Sequence, residues 1–373
     1  MTIFNAYFKL KRAMKKGTPF IISVVMSVTI IFMSQYPASS SGLTEKKEYQ
    51  KTSVKNSSFD GAFQAKTFRT AIVDKDNIKW FLTEVGIVSF DGEKWNLCNK
   101  NNKVPTENVK DLAYNFYSPA PEMMIASPNG ATIANLPLDD NTNTINYNTE
   151  NTTILSNNVF RVLAGKNNIR WFGTDKGVSA FRNNKWLTNS YDEVYPGIIF
   201  KEYPITSMAT SPGGDTLYVG TEGAGIARIY HDDVDGISGA SVYAQWGPII
   251  LPSDKIYSIL IASDGTKWFG TEEGLARHTG NNTLDNWTVY TTAEGLVNNF
   301  VQAIAQDGKG KIWLGTKGGV SVFDGTVWTS IKMEDGLVSN NVLSIAVDKN
   351  NVVWLGTDNG LMSYNNGEFV SYK

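Results

Sequence analysis

Ile312-Trp313-Leu314-Gly315-Thr316-Lys317-Gly318-Gly319-Val320 is the stretch from which the fold can be read, because copies of it recur along the chain. The clear copies place Trp80, Trp171, Trp268, Trp313 and Trp354 at the same position, each followed by Phe or Leu, then usually Gly-Thr, two variable residues and a further Gly. Tyr218 heads a sixth copy. Between Trp80 and Trp171 the gap is about double, and Met124-Ile125-Ala126-Ser127-Pro128-Asn129-Gly130 lies near its middle with Gly130 in register. The seven positions are spaced 44, 47, 47, 50, 45 and 41 residues apart, a period that marks a ring or solenoid of repeats.

Each copy reads as a strand, a tight turn and the start of a second strand. Aromatic and aliphatic residues suit a buried pleated strand, and the turn Gly supplies a positive φ where the chain reverses. An apolar run precedes each copy, as in Val342 to Val347, and a second strand-turn-strand follows, as in Val320 to Phe323, Asp324-Gly325 and Val327 to Ile331. The unit is therefore four short antiparallel strands, here lettered a to d. Seven such units predict an all-β chain, a seven-bladed β-propeller whose blades bury both faces against their neighbours.

The motif Ile-Trp-Phe/Leu-Gly-Thr-x-x-Gly-Val, together with Glu294-Gly295-Leu296-Val297-Asn298-Asn299 and Asp335-Gly336-Leu337-Val338-Ser339-Asn340-Asn341, closely resembles the two-component-regulator propeller repeat. The resemblance runs across about residues 59–373. It implies a ligand-binding sensor propeller of the kind found outside the cytoplasm in hybrid histidine kinases of polysaccharide-using bacteria. Kinase and DNA-binding segments have no counterpart in this sequence.

Around the ring, residues 1–40 read as a signal peptide or an N-terminal membrane anchor. A basic region ends at Lys16, an apolar run spans Phe20 to Met33, and Pro37-Ala38-Ser39-Ser40-Ser41 offers a small-residue cleavage region. The serines and threonine within the run favour cleavage over anchoring. The expected location is the periplasm, the cell surface or the medium. Residues 41–58 are polar and aperiodic and read as a flexible linker, and 59–373 as the propeller. Asp60-Gly61-Ala62-Phe63 is a worn copy of Asp335-Gly336-Leu337-Val338, so the chain enters just before a strand a and leaves after a strand d. Five of the 34 basic residues and none of the 36 acidic ones fall in the first 40 positions, which leaves the remainder at net −7. That balance argues against nucleic acid as a partner. The lone Cys98 reads as a small apolar residue at the end of a strand d.

Candidate chemistry is concentrated where the repeat is marked or broken. The residue after the motif Thr is Glu84, Asp175, Glu222, Glu272, Lys317 or Asp358, and acids around one mouth could accept hydrogen bonds from sugar hydroxyls or attract a cation. The plainer account is that Asp and Glu suit an exposed turn beside Gly. Asn157, Asn158, Asn298, Asn299, Asn340 and Asn341 recur before strand a, where Asn usually satisfies loop backbone groups.

Two connections exceed the template. One lies between strands c and d of blade 4, at His231 to Gly239, where His231-Asp232-Asp233-Val234-Asp235 reads as a solvated acidic turn rather than a cation loop. The other lies between d and a, around Tyr191 to Tyr203, and carries Tyr191, Tyr195, Phe200 and Tyr203. Aromatics among hydrogen-bonding groups suit carbohydrate or peptide, although a loop that buries its own rings is the competing account.

With only His231 and His278, a His-rich metal site is excluded, and no catalytic residue, metal or cofactor is expected. The reading is an exported binding protein, not an enzyme, with Tyr191, Tyr195, Phe200, Tyr203, Asp175, Glu222, Glu272 and Asp358 as the ligand-binding residues. Its partner would be a small molecule or glycan fragment, or another extracytoplasmic protein. The alternatives are a scaffold for protein contacts and a propeller lyase similar to the streptogramin lyases, which need a His base at the mouth. Here only His278, beside Glu272 and Glu273, could supply one, although it aligns with Phe90, Phe181, Phe323 and Tyr364.

Overall fold

A computed structural model describes residues 46–48, 54–59, 64–98, 104–187, 203–231, 237–243, 251–280 and 286–372. Residues 1–40, Tyr191, Tyr195, Phe200 and 232–236 lie outside the described residues. The chain divides into Met1–Thr44 and Glu45–Lys373, and every described strand belongs to the second unit.

Seven antiparallel sheets occupy residues 68–98, 111–147, 159–186, 205–243, 256–290, 301–331 and 342–372, each with its four consecutive strands in the order a-b-c-d. Strand a of each blade contacts strand a of the next, and Val342–Val347 of blade 7 contacts Phe68–Val73 of blade 1, which closes the ring. The blade around Met124 is complete: Asp111–Tyr114, Glu122–Ser127, Gly130–Asn135 and Thr144–Tyr147 pair in sequence.

The hydrophobic core is seven clusters, one at each joint between blades. Trp354 with Phe81 and Trp95 fills joint 7–1, Trp80 with Met123 and Ile125 fills joint 1–2, and Trp171 with Leu217 and Val219 fills joint 3–4. Strands b are buried along their whole length, as in Ile312–Thr316 and Val353–Thr357, save for the half-buried Arg170 in blade 3, because both of their faces meet another blade.

Three repeated features explain the motif. First, the Thr hydroxyl closes the b–c turn by donating to a Gly carbonyl: Thr83 to Gly86, Thr174 to Gly177, Thr221 to Gly225, Thr271 to Gly274, Thr316 to Gly319 and Thr357 to Gly360, all at 2.7–2.9 Å. Ser127 does the same to Gly130 at 3.0 Å, so the eroded copy keeps the chemistry with a different hydroxyl.

Second, the Gly before the Thr is a point of close approach. A Cβ on Gly356 would lie 2.5 Å from the Phe68 carbonyl oxygen, and one on Gly173, Gly220, Gly270 or Gly315 would meet Ile205, Ile256, Val301 or Val342, the first residue of strand a in the next blade. Third, an Asp in the a–b turn accepts two backbone N–H groups and the Trp indole. Asp74 bonds Trp80 Nε1 at 2.8 Å, Asp307 bonds Trp313 Nε1 at 3.0 Å and Asp348 bonds Trp354 Nε1 at 3.2 Å. Blades 3 and 5 carry Gly165 and Ala262 at that place, and there Trp171 Nε1 and Trp268 Nε1 are buried without an acceptor.

Two stretches within the segment read as linker are strands. Lys46–Glu48 pairs in parallel with Trp328–Ile331 on the rim of blade 6, and Val54–Ser57 pairs in parallel with Glu368–Tyr372 on blade 7. An outer strand d leaves a row of unpaired backbone groups, and pairing with them requires no apolar pattern, so polar segments can join an edge without a periodic signal. Phe59 comes next and is buried against Phe68 and Trp95, with ring centroids 5.9 and 5.0 Å away.

Candidate functional site

The b–c turns and the segments entering strand a share one face of the ring, and hydrogen bonds join them. Gly130 N–H donates to Asn157 O at 2.7 Å, Gly225 N–H to Asp254 O at 2.9 Å, and Gly360 N–H to Lys66 O at 2.6 Å. Each of these bonds crosses from one blade to the entry of the next, so the joint from blade 7 to blade 1 is built like the others.

Most of the acids after the motif Thr are committed on this face. Glu84 accepts the N–H of Lys66 at 2.6 Å and of Thr67 at 2.9 Å. Asp358 accepts from Ser339 Oγ at 2.6 Å and Asn341 Nδ2 at 2.8 Å. Glu272 accepts from Ser253 Oγ at 3.4 Å and Lys255 Nζ at 3.2 Å, and Asp175 Oδ2 from Asn158 Nδ2 at 3.4 Å. Each acid fastens its turn to the segment entering its own blade, which is the plainer of the two accounts of these residues.

Glu222 is exposed and stands opposite Lys255 across an isolated bridge, and Asp175 Oδ1 is buried without a hydrogen bond. The Asn residues also cap: Asn157, Asn299 and Asn340 accept the N–H of Thr149, Thr292 and Met333 at 2.7–2.8 Å.

Of the off-template connection, Tyr203 is described. It is half-buried, and its ring lies 3.0 Å from where a Cβ on Gly223 would stand, which places it over the turn that carries Glu222. The structure therefore sets Tyr203 against the residue that follows Glu222. Asp175, Glu272 and Asp358 belong to other blades and are held by their own entry segments.

Reading from the motif missed two residues on this face, Tyr257 and Phe300. Tyr257 is the second residue of strand a in blade 5, where a bulge shifts the register between Ile256 and Ser258. Phe300 immediately precedes strand a of blade 6. Their rings are 4.5 Å apart, both are half-exposed, and Lys317 Nζ lies 3.7 Å from the Phe300 centroid. Burial, with the nearby Glu272 carboxylate adding to it, pushes the Tyr257 hydroxyl pKa upward. The available signal was a departure from the repeat: blades 3 and 7 place Asn158 and Asn341 where blade 6 has Phe300.

His278 is fully buried, stacked on Trp287 at 4.5 Å, and opposite Lys267 in the strand pairing. It occupies the place that Phe323 holds opposite Ile312 in blade 6. His231 is buried edge-on to Trp171 at 5.1 Å.

The two-component regulator propeller model matches residues 295–318 and 336–359, the segments that run into and through strand b of blades 6 and 7. Among solved structures, the extracellular domain of a protein assigned to the hybrid two-component systems of B. thetaiotaomicron is 21% identical with TM-score 0.64, over 82% of this chain and 39% of that one. PorZ, a surface component of the type-IX secretion system of Porphyromonas gingivalis, is 16% identical with TM-score 0.64, over 80% and 46%. A streptogramin B lyase is 14% identical with TM-score 0.59, over 82% and 95%. At these identities the likeness is one of fold, and the chain spans less than half the length of the first two. No curated protein sequence matches the chain significantly.

Proposed function

We propose that this propeller, whose blades carry the two-component regulator repeat, is an exported, sensor-like binding protein that takes a ligand such as a glycan fragment on the face shared by the b–c turns and the d-to-a connections. The observation that carries the reading is the concentration of off-repeat aromatics there. Tyr203 covers the blade 4 turn, Tyr257 and Phe300 pair across blades 5 and 6, and Tyr191, Tyr195 and Phe200 belong to the connection that ends at Tyr203. In a ring of repeats, strands stay alike and specificity accumulates in connections. Export rests on the basic and apolar segments of residues 1–40.

The burial of His278 disfavours the lyase alternative, because a base packed between Trp287 and strand b cannot reach substrate at the mouth. The test is a pair of measurements on the Tyr191→Ala/Tyr195→Ala variant, using an oligosaccharide panel and thermal unfolding. Affinity should fall by about 1–3 kcal/mol with the thermal midpoint nearly unchanged. A large fall in the midpoint would assign those rings to packing. Fractionation of cells that produce the full chain should place it outside the cytoplasm.

A further inference from the structure

Blade 6 departs from its neighbours at the mouth in a correlated way. In blades 1, 3, 5 and 7 the residue after the motif Thr is an acid, and its partner at the entry to strand a is polar: the Lys66 and Thr67 N–H groups, Asn158, Ser253 with Lys255, and Ser339 with Asn341. In blade 6 both members change, to Lys317 and Phe300, and the carboxylate staple becomes an ammonium 3.7 Å over a ring.

The pair does not stand alone. Phe300 meets Tyr257 of blade 5 at 4.5 Å with an interplanar angle of 43°, so two half-exposed rings form one surface across the joint. Neither ring belongs to the core clusters between blades 5 and 6. The fold does not require them, since Thr206 and Gln302 occupy the place of Tyr257 in blades 4 and 6 and form interblade bonds, Gln302 Nε2 to Asn341 Oδ1 at 2.9 Å among them. Half-exposed aromatic area beside a cation is what a ring-shaped anionic ligand would cover.

The neighbouring cation, Lys255, is already engaged by Glu272 at 3.2 Å, whereas Lys317 is exposed and has no carboxylate partner among the described residues. Tyr257, held in its neutral form, keeps a hydroxyl able to donate to a ligand oxygen.

We propose that Tyr257, Phe300 and Lys317 form a subsite for an acidic sugar residue, with the rings stacked on its apolar face and Lys317 paired with its carboxylate. This rests on the reading of the mouth as a saccharide-binding face, and it adds the charge of the ligand.

The test is calorimetric titration of the full chain with oligogalacturonate and, separately, with its methyl-esterified counterpart, which keeps the rings and removes the charge. Oligogalacturonate should bind more tightly than the ester, by about tenfold, the loss expected for one charge-assisted contact. Lys317→Gln should erase that difference without weakening the ester, and Lys317→Arg should restore it. Phe300→Ala should weaken both probes, and Phe300→Tyr, which keeps the ring, guards against a folding defect. Equal binding of the two probes, or a Lys317→Gln variant that still prefers the acid, overturns the subsite while leaving the saccharide-binding face intact. Binding of neither probe overturns both.

Discussion

Asp348 is the residue whose removal most directly tests how the ring is closed. Its Oδ1 accepts the N–H groups of Asn350 and Val352 at 2.9 Å each, and its Oδ2 accepts Trp354 Nε1 at 3.2 Å. The same Oδ2 lies 3.9 Å from Lys79 Nζ in blade 1, with both side chains about 96% covered, and the ammonium also sits 5.6 Å from the Trp354 ring. Asp307 makes the three equivalent bonds in blade 6, but the next blade offers Val353 where blade 1 has Lys79.

Asp307→Ala should therefore cost about 1–3 kcal/mol, mainly for a buried indole N–H left without an acceptor. Asp348→Ala should cost more, up to about 5 kcal/mol, because it also takes the paired carboxylate from the buried Lys79 ammonium, which keeps its bond to the Asn77 carbonyl at 2.9 Å. Equilibrium urea unfolding of the two variants and the parent measures the difference, and Lys79→Met combined with Asp348→Ala should recover part of it. Equal losses in the two single variants would refute the claim that the ion pair matters to closure.

The pH dependence supplies a second reading. Burial lowers the Lys79 pKa from its ordinary 10.5 against the opposing pull of Asp348, so the unfolded chain holds that proton more firmly. Stability should then rise as pH climbs from the folded pKa toward 10.5, and in Asp348→Ala the rise should begin at lower pH.

Three further outcomes are expected from the packing. Ala262→Asp places an acceptor beside the unpartnered Trp268 Nε1 in a turn with the backbone bonds of its Asp-bearing relatives, and should raise stability by about 1 kcal/mol in the same unfolding assay; a loss would show that the site excludes the carboxylate. Gly356→Ala drives a methyl group to 2.5 Å from the Phe68 carbonyl oxygen and should lower stability by about 1–3 kcal/mol, more than Gly213→Ala, where φ is not positive and a Cβ comes no closer than 3.3 Å to the Asp215 carboxylate. Cys98, the single cysteine, is buried with its thiol pushed up to about 12, so at pH 8 a maleimide should label it only as fast as the ring opens, and rapid labelling in native buffer would contradict its place in the core.

Much of the ring was legible because each blade repeats one set of local bonds. The Thr-to-Gly staple, the positive φ of the turn Gly and the buried Trp are each set within a few residues, so they leave a mark at fixed spacing, even in the copy where Ser127 stands for Thr. The role of the first Gly was not legible as such. A turn and a close approach both select Gly, and only the position of Ile205 or Phe68 in the following blade distinguishes them. The strands Lys46–Glu48 and Val54–Ser57 were invisible for a related reason, since pairing on an open edge is satisfied by backbone groups that every sequence carries.

The candidate site divides along the same line. The sequence by itself determined the number of blades, the off-template connection that ends at Tyr203, and the row of acids from Glu84 to Asp358. Only the tertiary structure decided that most of those acids are bound to their own entry segments, and that Tyr257, Phe300 and Lys317, from two blades and 60 positions of chain, come together at one joint. Hydrogen bonds within a blade follow the repeat and can be read from its period. A contact between blades depends on which two side chains the ring closure sets face to face, and no local pattern in either blade encodes that pairing.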